Sequence, residues 1–76
     1  MNDAGARMVK RSVTLAGHRT SVALEQAFWD EIDQLAKRRD VPLARLINEA
    51  DQNRDPDQNL ASALRLIALR AAQTRH

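Results

Sequence analysis

In "RTSVALE", residues 19 to 25, Val22 and Leu24 share one side, and Arg19, Ser21 and Ala23 share the other. A period of two is that of a strand with one apolar face, predicted here over about 19–25. Upstream, "RSVTL" at 11 to 15 alternates as well, with Val13 and Leu15 on one side and Ser12 and Thr14 on the other. Gly17, between the two runs, can take a left-handed conformation and close a hairpin. Alternation alone leaves open whether residues 11–15 form a second strand.

At Gln26 the period changes. Phe28, Ile32, Leu35 and Ala36 fall at helical spacing, with Asp30, Glu31, Asp33, Gln34 and Lys37 largely opposite, which predicts a helix over about 26–39. Its early acids and late "KRR" suit the helix dipole at both ends. Pro42 disfavours helical geometry at Val41 and is well placed to open a second helix, predicted over about 42–53, with Leu43, Leu46, Ile47 and Ala50 as its apolar stripe. "NRDPDQN" reads as a loop of turn formers. A third helix, about 57–74, carries Leu60, Ala63, Leu64, Ile67 and Ala71 on one face, while Leu66 and Leu69 fall off that stripe and read as a second contact surface. Residues 1–9 show no periodicity and are expected to be a disordered extension to a domain spanning 10–76, with Met8 an alternative start.

Composition sharpens this picture. A chain of 76 residues buries only about 60% of the surface its unfolded form exposes, so its stability needs support. With no Cys, disulfides and thiolate zinc sites are excluded, and the two His lack a ligand cluster. Oligomerisation is the remaining device. No apolar run approaches the length of a membrane span and the N-terminus has no signal-peptide core, so a cytoplasmic location is expected.

The net charge of +2 is unevenly spread: residues 1–23 hold +3, residues 24–57 hold five basic and nine acidic groups, and residues 58–76 return +3. The basic N-terminal block coincides with the strand, the sign expected of a surface that meets phosphate. No nucleophile is paired with a base, and no glycine-rich loop could cradle a phosphate. The carboxylates of the first helix have no partner motif that would build an active site, so neither enzymatic activity nor a cofactor or metal is expected. His18 reads as a turn residue, and Phe28 and Trp29 read as core and dimer-interface residues.

A strand followed by helices cannot satisfy its own backbone edge. If Thr20 to Leu24 of two copies pair antiparallel about a two-fold axis, Val22 and Leu24 pack on the helices, and Arg19, Ser21 and Ala23 point outward. A two-stranded ribbon of that width fits the major groove of B-DNA. Over residues 19 to 53 the sequence resembles the ribbon-helix-helix family of bacterial DNA-binding proteins, the class that includes the Arc and MetJ repressors. "RTSVALEQAFWDEI", the "KRSV…AGHRTS" lead-in and "NLASALR" extend the resemblance to small stand-alone members over most of residues 10 to 70.

The resemblance implies a mainly α fold with a short β ribbon, an intertwined homodimer with an added C-terminal helix, acting as a transcriptional regulator on double-stranded DNA. Base contacts would fall to Arg19, Ser21 and Ala23, with Lys10, Arg11 and His18 flanking. Phosphate would fall to the backbone amides near Leu43 and Ala44, with Arg45 as a nearby cation. Val22, Leu24, Phe28, Trp29, Ile32, Leu35, Leu46 and Ile47 would form the dimer core.

Two features qualify the transfer. Ala23 offers only apolar contact, for instance to a thymine methyl. If the hairpin through Gly17 forms, pairing two copies makes a sheet of four strands, too broad for the groove. The alternatives are an antitoxin or adaptor that binds a protein through the third helix, and a structural oligomer larger than a dimer that binds no DNA.

Overall fold

The computed structural model describes residues 4–74. A 3-10 turn at Ala4–Ala6 leads into strand β1 (Met8–Leu15), which pairs antiparallel with β2 (His18–Glu25). Three helices follow: α1 (Gln26–Arg39), α2 (Leu43–Asn53) and α3 (Leu60–Thr74). Residues 11–15 therefore belong to a strand, and β2 finds its partner in its own chain rather than in a second copy.

The turn explains why. Ala16 and Gly17 both have positive φ, 49° and 85°, the handedness that a two-residue hairpin needs to match the twist of its strands. Gly17 takes it freely, whereas Ala16 is strained. Asn48 of α2 holds the strained turn in place: its Nδ2 donates to the Thr14 carbonyl at 3.0 Å, and its Oδ1 accepts from the Ala16 N–H at 3.4 Å. Residues 4–9, expected in the disordered extension, are part of the fold. Met8 opens β1, and the Gln26 N–H donates to the Arg7 carbonyl at 2.8 Å. Residues 1–3 of that extension lie outside the described residues.

α1 ends where Asp40 turns left-handed (φ 55°) and the Val41 N–H returns to the Ala36 carbonyl at 3.0 Å, a closure typical of helix C-termini. α3 begins at Leu60, three residues after its expected start, because the Asn59 side chain accepts from the Ser62 N–H at 2.8 Å and caps the helix there.

The residues expected to form a dimer core are covered within one chain. Leu24, Trp29, Ile32 and Ile47 are fully buried, Val22 and Leu46 nearly so, and Phe28 and Leu35 pack half-buried against them. The reason is α3, which lies on α1, α2 and β2 and buries Leu64 and Ala68 completely. A second copy is not needed to cover these side chains.

Candidate nucleic-acid interface

The register sorts the hairpin's side chains into two faces. Val9↔Leu24, Arg11↔Val22, Val13↔Thr20 and Leu15↔His18 lie toward the helices; Lys10↔Ala23, Ser12↔Ser21 and Thr14↔Arg19 lie away from them. The outward set is exposed, apart from a half-covered Ala23. The four residue steps of strand from Lys10 to Thr14 span about 14 Å, or about four base-pair steps.

Lys10, Arg19, Ser21 and Ala23 thus share one face; the sequence puts Arg19, Ser21 and Ala23 together and has Lys10 only flanking them. Ser12 and Thr14, outside the residues the sequence singles out, complete it; their alternation with Val13 and Leu15 is the available signal. The face offers two cations, three hydroxyls and a methyl group. Hydroxyls and cations can donate to base acceptors and phosphate oxygens, and a methyl can meet a thymine.

Arg11 stands elsewhere. Its place in the alternation puts it on the helix side, with its guanidinium 4.5 Å from the centre of the Trp29 ring and both terminal nitrogens on the Asp33 carboxylate at 3.0 and 3.1 Å. Both bonds are made to one carboxylate, which fixes the guanidinium plane. Arg11 is thereby part of the hairpin's attachment to α1. His18 is exposed at the turn, on Arg11's side of the alternation rather than Arg19's.

One carboxylate shares the outward register: Glu25, opposite Met8. Arg65 of α3 reaches it at 2.9 Å, offsetting a negative charge that would otherwise oppose phosphate. The backbone N–H of Glu25, together with Arg65, holds its carboxyl below the usual carboxylate range, so this carboxylate is charged at neutral pH.

At the start of α2 the Pro42 carbonyl accepts from the Arg45 and Leu46 N–H groups at 3.0 and 3.3 Å, and no side chain caps the helix. Helix geometry leaves the N–H groups of Leu43 and Ala44 without an intrahelical acceptor. Ala44 and Arg45 are exposed and Leu43 is half-buried against the core. Among the described residues no group of His, Cys, Asp and Glu could hold a metal ion, and no helix is long and apolar enough to cross a membrane.

A family model described as a ribbon-helix-helix domain matches residues 8–72. The solved structure of an uncharacterized protein from Bordetella pertussis Tohama I is similar, at 35% sequence identity and a TM-score of 0.82. That match covers 96% of this chain and 62% of the other, so the chain spans less than two thirds of that protein's length. No curated protein matches.

Proposed function

The chain belongs to the ribbon-helix-helix family, whose members are typically DNA-binding, non-enzymatic regulators that generally dimerise, and on that premise we propose that it is a homodimeric transcriptional regulator in which each chain supplies a complete two-stranded ribbon to the major groove. The observation that carries this reading is the outward face of the hairpin, where Lys10, Ser12, Thr14, Arg19, Ser21 and Ala23 stand together.

Width decides how the ribbon is made. Two strands about 4.8 Å apart enter a groove about 12 Å wide, and four do not. Since β1 already occupies one side of β2, the ribbon that fits is the hairpin of a single chain. Arg19 and Lys10 sit at opposite ends of the face, with the Ser12–Ser21 pair between them. Arg19 reads a guanine edge, the serines donate to neighbouring bases, and Ala23 meets a thymine methyl. The free amides of Leu43 and Ala44, with Arg45 beside them, hold a phosphate at the start of α2.

Binding to random-sequence duplex DNA at rising salt tests this reading. The expected result is tight binding at low salt, with log affinity falling by about 0.9 per phosphate neutralised for each tenfold rise in salt, and enrichment of a short motif when bound sequences are selected. Absence of binding at low salt would refute it.

A further inference from the structure

The hairpin is bound to the helices unequally along its length. At its open end the Trp29 Nε1–H donates to the Val9 carbonyl at 2.8 Å, Arg11 holds the Asp33 carboxylate through two bonds, and Arg65 of α3 reaches Glu25 at 2.9 Å. Nearer the turn Val13 is buried and Leu15 half-buried. Apolar contacts are non-directional, so they press this end onto the core without fixing its lean.

Asn48 supplies the missing direction. It lies on α2 one turn after Ala44, and its side-chain amide engages three backbone groups. Nδ2 donates to the Ala44 carbonyl at 2.8 Å and to the Thr14 carbonyl at 3.0 Å, and Oδ1 accepts from the Ala16 N–H at 3.4 Å. Among the described residues no other side chain of α2 is hydrogen-bonded to the hairpin. A carboxylate has no N–H for the two carbonyls, and a hydroxyl has a single proton to give. The three contacts together therefore require an amide.

What the amide joins is informative. Thr14 pairs in register with Arg19 at the turn end of the outward face, and Ala44 lies in the first turn of α2, where the free amides meet phosphate in the proposed function. We infer that Asn48 is a positioning residue for sequence reading: it holds the Thr14–Arg19 end of the hairpin at a fixed offset from the start of α2, so that base and phosphate contacts form in one register. The inference deepens the proposed function and rests on it.

Magnitudes separate the two kinds of contact. Thr14 lies three residue steps beyond Arg11, about 10 Å, so a lean of about 10° at Arg11 carries the Thr14–Arg19 pair through roughly 2 Å. A hydrogen bond to a base edge tolerates a range of about 0.5 Å, whereas attraction to phosphate decays over a Debye length of about 8–10 Å. Loss of the Asn48 contacts therefore removes base reading and spares phosphate attraction.

Asn48→Ala, which adds no charge, tests this by fluorescence anisotropy on a duplex selected by the wild type and on a duplex of unrelated sequence. Affinity for the selected duplex is expected to fall at least tenfold, and affinity for the unrelated one less than threefold. In the DNA-free variant, amide nitrogen relaxation should show residues 14–19 more mobile than in the wild type and residues 9–11 unchanged. A second variant separates positioning from turn stability. Asn-Gly is a favoured pair for a two-residue hairpin turn, so Ala16→Asn steadies the turn without restoring the link to α2. Ala16→Asn/Asn48→Ala is expected to unfold at the wild-type denaturant midpoint and still to discriminate poorly between the two duplexes. Full recovery of discrimination in this double variant would overturn the inference, because an ordered turn alone would then suffice. So would an Asn48→Ala protein as selective as the wild type; either result leaves the proposed function standing. A wild type that binds no DNA would overturn both.

Discussion

Trp29→Ala is expected to remove about 3–5 kcal/mol of stability, the range for truncating a fully buried aromatic that leaves a cavity. A chain of this length is stable by only about 4–11 kcal/mol, so the loss is a large fraction of the whole. Trp29 is 0% exposed, and its Nε1–H donates to the Val9 carbonyl at 2.8 Å. Arg11 lies over its ring while bound to Asp33. The indole therefore joins β1 to α1 by packing, by a hydrogen bond and through the guanidinium stacked on it. Its removal strands the Val9 carbonyl and loosens Arg11 together with the cavity. Denaturant unfolding should show a lower midpoint. Trp29→Phe keeps most of the volume and should cost clearly less. A Trp29→Ala protein within 1 kcal/mol of wild type would contradict the docking of the hairpin described above.

Arg19→Ala is expected to weaken binding to a selected DNA site by about 1–3 kcal/mol and to relax sequence preference at one position, as loss of a bidentate guanine contact does. Arg19 is exposed, opposite Thr14, on the face that the helices leave free, and it makes no ion pair among the described residues. Arg38, exposed in the last turn of α1, serves as a comparison, since Arg38→Ala should change affinity little and uniformly across sequences. Fluorescence anisotropy on the selected duplex and on single-base variants measures both. Equal affinities for wild type and Arg19→Ala would remove Arg19 from the reading face.

The helices were largely legible in the sequence because their signals are local. The change of period at Gln26, the break before Pro42 and the turn formers around Pro56 each act on neighbouring residues. The partner of β2 was legible only as one of two options, the hairpin through Gly17 or a second copy. Ala16–Gly17 lacks the Asn-Gly or Asp-Gly signature of a tight hairpin turn, and the Asn48 contacts that hold it come from more than 30 residues away. Leu24 and Trp29 read from the sequence as part of a dimer core, because nothing local says that α3 folds back over them.

The site shows the same division. Alternation through β2 separated Arg19, Ser21 and Ala23 from Val22 and Leu24, and the same count through β1 separates Lys10 from Arg11. What alternation could not convey is that Arg11 meets Asp33, 22 residues further on, or that Arg65 offsets the charge of Glu25. These are tertiary contacts, and they decide which cations remain available to a ligand. Lys10 and Arg19 remain; Arg11 and Arg65 do not.

If one chain's hairpin meets DNA with its outward face, that face is where a duplex perturbs the protein. An NMR titration of isotope-labelled protein with a short duplex reads that face residue by residue. Shifts are expected to concentrate at Lys10, Ser12, Thr14, Arg19, Ser21 and Ala23, with a second group at Leu43, Ala44 and Arg45 and little change along α3. Shifts confined to α3 with an unperturbed hairpin, or none at low salt, would contradict it.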